Sequence, residues 1–320
     1  MLSRLLGGLV HSRCFAYDRT RFEKYSGKAN PSARDALLAL IAIRFHVLEK
    51  GLTMPNRRLA FGKKRVLQLI DLIGRYERLH GEPAEQVVHA IAVIREYREM
   101  HSQVFVKGNH DDSFWEALDR FLTAHADVPA ARQLHFTRQA FYADRDADFV
   151  RLAHARHSVR NYAPVPVPVE RIRRAVELAM TAPSACNRQP CRVHCVTGKE
   201  NVAAVLELQA GCRGFAHLVD KVLLVTSDLE CAPMTRERND VFTNGGIFLM
   251  NLCYALYHEE VAHCILNWSR PPKEDLALRK IVKMKPSECV VAVLSCGEVP
   301  DEFDVAASPR KGVDSAFVLH

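Results

Sequence analysis

Four short apolar runs in the second half of the chain most constrain its fold, because a helical pattern separates each run from the next. The apolar runs are residues 192–197, 222–227, 261–267 and 289–296. The helical patterns are residues 168–181, 200–209, 240–258 and 273–282. Strands that alternate with helices are typical of a mixed sheet domain and not of a helical bundle. The pattern therefore predicts a sheet covered by helices.

The first half of the chain shows helical periodicity alone. Its apolar residues recur at helical spacing over 33–51, 63–80, 84–102 and from residue 112 onward. Ser32 is the predicted N-cap of the first of these helices, and the basic residues before it are expected to be irregular. A polar stretch over 127–149 joins the two halves. We predict an α+β protein with a helical region over 1–148 and a sheet domain over 149–320.

Composition narrows the classes of function. Hydrophobic residues make up 48% and charged residues 25% of the 320 residues, as in ordinary globular proteins. The net charge of +7 is spread thinly along the chain and suits anionic small molecules. Nucleic-acid binding usually requires a dense basic face. We therefore expect a small-molecule substrate and no nucleic-acid partner.

The ten cysteines contain no Cys-x-x-Cys pair, and several lie in apolar runs. They are interpreted as reduced core thiols, and no metal site is predicted. The apolar run over residues 5–10 is shorter than the core of a signal peptide, and no later run is long enough to span a bilayer. The expected location is the cytoplasm.

Two arginines flank a serine at the start of the sheet domain. A guanidinium group presents a rigid fork of donors that suits phosphate and ring carbonyls. The residues are Arg156, Ser158 and Arg160. The alternative interpretation is a solvated basic helix end.

One helix later, the chain carries a turn of small and amide residues, Ala182-Pro-Ser-Ala-Cys-Asn-Arg-Gln-Pro190. Small residues allow the backbone to approach a flat ring, and Asn187 can bond to the polar edge of such a ring. Taken alone, the segment is equally a turn that ends a helix.

The order Arg-x-Ser-x-Arg, one helix, then Ala-Pro-Ser-x-x-Asn-x-Gln-Pro resembles the opening signature of the nitroreductase family of FMN-dependent oxidoreductases. The resemblance covers the chain from about residue 149 to its end and implies a nitroreductase-like FMN-binding domain. It also implies a homodimer with FMN at the subunit interface and NADH or NADPH as reductant. Hydride transfer through flavin N5 would reduce a small nitro, quinone or unsaturated acceptor, and no catalytic acid or base is required. A flavin-binding scaffold, or a flavoprotein that uses no nicotinamide, is the alternative.

The resemblance also implies which residues contact the cofactor. Arginines and serine of the first motif would hold the FMN phosphate, ribityl chain and ring edge, and Ser184 would reach the cofactor of the partner subunit. The backbone at Ile265 and Leu266 would lie near flavin N5, and Arg310 would close on the phosphate. The full set is Arg156, His157, Ser158, Arg160, Pro183, Ser184, Asn187, Gln189, Ile265, Leu266 and Arg310. Cys186 and Cys191 depart from the family pattern, and His263 is interpreted as a core histidine.

Two further features lie outside the motif. Gly245-Gly246 interrupts the helix over 240–258, where each glycine costs about 1 kcal/mol relative to alanine, so close approach of another helix is expected. By resemblance, that neighbour would be a helix of the partner subunit; the alternative is a helix buried within a monomer. A basic loop over 51–65 resembles a helical extension on nitroreductase-like proteins of bacterial surface-polysaccharide gene clusters. It is either a site for an anionic substrate or partner, or a solvated turn.

Overall fold

The structure is a computed structural model that describes residues 2–81, 84–102 and 112–320. The chain divides into two compact units. One unit contains residues 15–134 and 306–320, and the other contains residues 1–14 and 135–305. The sequence placed the last fifteen residues with the sheet domain, whereas the structure packs them within the helical unit.

The first 134 residues contain helices and, at their very end, the start of a strand. The helices are α1 (Leu2–Tyr25), α2 (Arg34–Leu52), α3 (Lys63–His80), α4 (Glu85–Met100) and α5 (Asp112–Ala124). Helices α2 to α5 have fully or nearly fully buried apolar faces, as their periodicity predicts. The irregular start predicted before residue 32 is wrong, because α1 occupies most of it. That helix was missed because its apolar residues are concentrated over residues 2–10, a range considered only as a signal-peptide core, and form no continuous stripe along the whole helix.

Local capping residues explain the end of α3 but not the start of α2. Helix α3 ends at Gly81, which adopts φ 73°, a conformation that glycine reaches without strain. The predicted cap at Ser32 is wrong, because α2 is preceded by Ala33 and has no side-chain cap. The Ser32 hydroxyl instead accepts a hydrogen bond from Arg75, and its carbonyl lies 3.1 Å from His80 Nε2. A long-range contact has replaced the local one.

The second unit is built on an antiparallel sheet with strand order β2-β3-β5-β4. Its strands are β2 (Cys191–Val196), β3 (Lys221–Asp228), β4 (Ala262–Asn267) and β5 (Glu288–Gly297). Its helices are α6 (Arg138–Phe141), α7 (Phe149–Ala155), α8 (Val169–Ala179), α9 (Lys199–Gln209), α10 (Asp240–His258) and α11 (Pro272–Ile281). The predicted α+β class, with a helical region first, is confirmed.

A second, two-stranded sheet pairs β1 (Leu134–Thr137) with β6 (Glu302–Val305). Neither strand is predicted by the sequence. Each is only four residues long, too short for an alternating pattern to be recognised.

Helix α10 lies against the four-stranded sheet at the centre of the unit. Its Phe248 and Leu252 pack in one apolar cluster with Leu223 of β3 and Leu294 of β5. Residues that alternate with these along β3, such as Leu224, point to the other face and are also buried. The sheet is therefore covered on both faces.

The glycine pair of α10 is explained by a strand and not by a second helix. A Cβ atom on Gly245 would lie 2.4 Å from Cγ2 of Val291 in β5, whereas one on Gly246 would meet nothing within 4 Å. The predicted helix approach is therefore wrong for Gly245. Gly246 lies on the exposed side of α10.

The cysteines are free thiols, and four of them are buried: Cys212, Cys253, Cys264 and Cys296. The interpretation as core residues is confirmed for these four, whereas Cys186 is exposed and the other five are partly buried. Within the described ranges, no helix is long and apolar enough to cross a bilayer.

Candidate functional site

The arginine segment leaves α7 and runs beside the sheet. Asp148 caps the start of helix α7, where its carboxylate accepts the Arg151 N–H at 3.0 Å, and Arg156 follows the last residue of the helix. The Val159 N–H then donates to the His263 carbonyl of β4 at 3.0 Å. Tyr162 continues the attachment, because its hydroxyl lies 2.9 Å from Ser295 Oγ of β5. The segment is thereby fixed to two strands.

Arg156 and His263 each carry a buried nitrogen without a hydrogen-bond partner in the part of the chain that the structure describes. The atoms are Arg156 Nε and His263 Nε2. The other ring nitrogen of His263, Nδ1, bonds to the Val261 carbonyl at 3.0 Å. Burial and the charge of Arg156 lower the pKa of His263 to about 4, so the ring is neutral at pH 7. An unpaired buried donor is costly, so the Arg156 guanidinium fits a bound group that supplies acceptor oxygens.

His157 contacts the two-stranded sheet. Its ring meets the edge of Phe136 in β1, with the ring centroids 5.7 Å apart and an interplanar angle of 86°. This contact is with the small sheet, which the sequence did not predict.

The turn after α8 is strained and tightly bonded. Cys186, Asn187 and Gln189 have φ values of 50°, 52° and 47°, in the left-handed region that costs non-glycine residues roughly 1 kcal/mol or more each. The Ser184 hydroxyl accepts the Gln189 N–H at 2.9 Å, and the Gln189 amide donates to Asn187 Oδ1 at 3.1 Å. Three of the predicted cofactor residues are thus bonded to one another.

Two residues that the sequence analysis did not select hold this turn in place. Asn244 of α10 is buried, and its Oδ1 accepts the Ala185 N–H at 3.1 Å. Arg188 donates to the Ala185 carbonyl and to Glu237 Oε2, both at 3.0 Å. Arg188 lies inside the quoted motif and could have been found there, whereas Asn244 is 59 residues from its partner and carried no local signal.

The turn lines a cavity of about 80 Å³ with residues of α10. Pro183, Ser184 and Gln189 form one side of it, and Asn244 and Phe248 form another. Cys191, which departs from the family pattern, also lines it. Sites that enclose a drug-sized ligand measure roughly 300–1,000 Å³, so this surface offers one face to a large planar ring and does not enclose it.

The two motif segments meet α10 at different places. The turn bonds to Asn244, whereas the Arg156 charge acts on the buried Cys253 thiol. These helix positions are nine residues apart (253 − 244), which is about 13 Å along a helix axis. Within one chain, the turn therefore bonds to the first part of α10, and Arg156 lies nearer to its second half.

The remaining predicted residues lie elsewhere. On β4, Ile265 is 39% exposed and Leu266 is buried. Arg310 belongs to the helical unit, where its guanidinium donates to the Ser308 carbonyl. Its contact with the FMN phosphate stays a prediction. Among the described residues, no group of three or more His, Cys, Asp or Glu side chains could hold a metal ion.

Comparison with known proteins supports the sequence resemblance. Residues 153–213 match the model of the Nitroreductase family, and this range contains both motif segments. No curated protein matches the chain.

Solved structures align with about half of this chain. A nitroreductase family protein from Streptococcus pneumoniae shows 18% identity and a TM-score of 0.46, covering 54% of this chain and 100% of its own. An FMN-dependent nitroreductase from Clostridium difficile shows 18% identity and a TM-score of 0.43, covering 52% of this chain and 95% of its own. A Bacillus megaterium protein, NfrA2, shows 19% identity and a TM-score of 0.45, covering 53% of this chain and 72% of its own.

Proposed function

We propose that this chain is an FMN-dependent oxidoreductase of the nitroreductase type that uses NADH or NADPH to reduce a small organic acceptor. The observation that carries the proposal is the buried, unpaired Nε of Arg156, in a segment fixed to β4 and inside the range that matches the Nitroreductase family. An arginine held in this way is ready to bind the oxygens of FMN.

The redox chemistry would be supplied by FMN, which can accept a hydride at N5 and pass electrons to an acceptor. The residues of this chain would bind and orient that ring. Arg156, Ser158 and Arg160 would hold its polar groups, and the turn carrying Pro183, Ser184 and Asn187 would lie against it. No acid or base of the protein is needed for this role.

We further propose that two copies of the chain form a homodimer with FMN between them. The small cavity beside the turn and the separation of the two motif segments along α10 both suit a site completed by a second chain. The exposed side of α10 supplies a matching apolar surface, where Phe242 is 56% and Ile247 is 41% exposed beside Gly246. Large apolar residues gathered on an exposed helix face are common at subunit interfaces.

The test is an absorption spectrum of the purified protein, identification of the flavin released on denaturation, and NADPH oxidation with a quinone acceptor. We expect one FMN per chain, turnover with NADH or NADPH, and a dimer in solution. FMN without turnover would indicate a nicotinamide-independent flavoprotein. A protein that takes up no FMN would refute the proposal.

A further inference from the structure

A cavity of about 510 Å³ lies within the helical unit. Its walls come from Phe45 of α2, from α4 and from residues 128–130 after α5. The C-terminal segment 309–311 completes them. This volume is in the range of sites for small molecules.

Most of the lining is carbon. Phe45, Val88, Ala92 and Val128 contribute apolar side chains, and Pro129 and Pro309 add ring carbons. The Phe45 ring meets the edge of His89 with centroids 4.9 Å apart, which fixes the position of both rings. Such a surface favours a ligand with an apolar or aromatic body.

Positive charge predominates among the charged residues that line the cavity. Arg310 and Lys311 line it, and within the described residues neither forms an ion pair. The Glu85 carboxylate also lines it, but its Oε2 accepts the Gly312 N–H at 3.0 Å. Two cations therefore face one carboxylate that is already bonded.

Behind the cavity, His89 is held by a buried carboxylate. Glu49 accepts from His89 Nε2 at 2.8 Å and from His46 Nδ1 at 3.3 Å. Burial by itself would raise the pKa of Glu49, but these two hydrogen bonds lower it to about 2. Glu49 is therefore ionised, but its oxygens bond to the two imidazoles and do not line the cavity.

The segment that carries the cations is anchored on both sides. Before it, the Ala307 N–H donates to Gln133 Oε1 at 3.1 Å. After it, the Gly312 N–H bonds to Glu85. Because the rim is held in place before a ligand arrives, little ordering is required on binding.

We propose that this cavity binds a small amphipathic anion, an organic acid with an aromatic or apolar body, whose acidic group lies at Arg310 and Lys311. The proposal does not depend on the proposed flavin chemistry, and it assigns Arg310 to this cavity instead of the FMN phosphate.

The test is calorimetric titration of the full-length protein, as purified with any bound cofactor, with 2-naphthoate and with its neutral analogue 2-naphthamide. We expect one naphthoate per cavity and roughly tenfold weaker binding of the amide, or about 1.4 kcal/mol, because the amide loses its ionic contacts with two exposed cations. Arg310→Glu/Lys311→Glu should remove the preference for naphthoate and leave amide binding unchanged. Val88→Trp, which fills the cavity from a partly exposed position, should weaken both ligands.

The matched control is Arg78→Glu/Arg120→Glu, which reverses two exposed basic residues of the same unit that do not line the cavity. It should bind both ligands as the wild type does. Should the Arg310/Lys311 variant misfold by circular dichroism, Arg310→Gln/Lys311→Gln replaces it with the same expectation.

Three results would overturn the proposal. One is no binding of naphthoate at millimolar concentration. Another is naphthoate binding that neither Val88→Trp nor the charge variant alters, which would place it at a different site. The third is loss of FMN in the charge variant with naphthoate binding intact, which would assign Arg310 to the cofactor phosphate instead.

Discussion

Gly245 of α10 lies directly against Val291 of β5, at the point where the pairing of β3 with β5 is irregular. Val225 pairs with Ala292 and Thr226 with Val290, so Val291 is the extra residue of a β-bulge. A Cβ atom at Gly245 would lie 2.4 Å from the Val291 Cγ2 atom. The bulge and the glycine therefore fit one another, and the glycine allows α10 to pack on the sheet.

This contact predicts opposite effects for two adjacent substitutions. Gly245→Ala should lower the free energy of unfolding by roughly 1–3 kcal/mol, because the new methyl group must displace Val291. Gly246→Ala should leave it unchanged or raise it by up to about 1 kcal/mol, because alanine is the better helix former and meets no neighbour. Urea denaturation of both variants measures the difference.

Equal stabilities for the two variants would contradict this packing. The space beside Gly246 is open only within one chain, so a loss in Gly246→Ala that grows on dilution of the protein would show that the partner subunit packs closely on Gly246 in the proposed dimer.

Asn244 is predicted to position the turn rather than to react. Asn244→Ala leaves the Ala185 N–H without its acceptor, which should cost about 1–3 kcal/mol. We also expect a severalfold weaker affinity for FMN, since the turn loses its attachment to α10. Fluorescence titration of the apoprotein with FMN measures this, and Asn239→Ala, at an exposed residue one turn earlier, is the control. Unchanged FMN affinity in Asn244→Ala would exclude the positioning role.

Backbone strain in the turn predicts a stabilising substitution. Cys186 has φ 50° and ψ 28°, a conformation that costs a non-glycine residue roughly 1 kcal/mol or more, while glycine loses about 0.5 kcal/mol through its freer unfolded state. Cys186→Gly should therefore raise the free energy of unfolding by about 0.5 kcal/mol. The neighbouring Ala185→Gly should lower it, because φ at Ala185 is not positive. Thermal unfolding of both variants provides the measurement, and destabilisation of equal size in both would argue against strain at Cys186.

The buried His263 predicts a specific loss of stability in acid. Its folded pKa of about 4 lies below the ordinary value of 6.5, so between these values the unfolded state binds a proton that the folded state does not. The free energy of unfolding should therefore fall by roughly 3 kcal/mol as the pH drops from 6.5 to 4. Arg156 is the charge that adds to this effect.

His263→Gln should flatten that part of the stability curve, measured by urea denaturation at several pH values. Carboxylate contributions, such as that of Glu49 below pH 4.5, are common to both proteins and cancel in the comparison. Curves of identical slope would show that His263 already carries a partner or water that the proton can share.

Local patterns in the sequence determined the class of the fold and the position of most elements. Apolar residues at a period of 3.6 predict helices α2 to α5 and α8 to α11, and apolar residues in short runs predict strands β2 to β5. Such a pattern lies within the element itself, so it identifies the element without knowledge of its neighbours. The two motif segments could be identified for the same reason, because their spacing lies within some thirty residues. Helix α1 and the short strands β1 and β6 lacked such a pattern and were missed.

Tertiary structure alone decided what each element meets. Gly245 faces a bulged strand residue 46 positions away (291 − 245), Ser32 bonds to Arg75 instead of capping α2, and residues 306–320 pack in the helical unit. The contacts that hold the turn, and the burial of the Arg156 and His263 nitrogens, likewise depend on segments that are distant in the sequence. Such contacts arise when whole buried faces pack together, and no short stretch of sequence contains both partners.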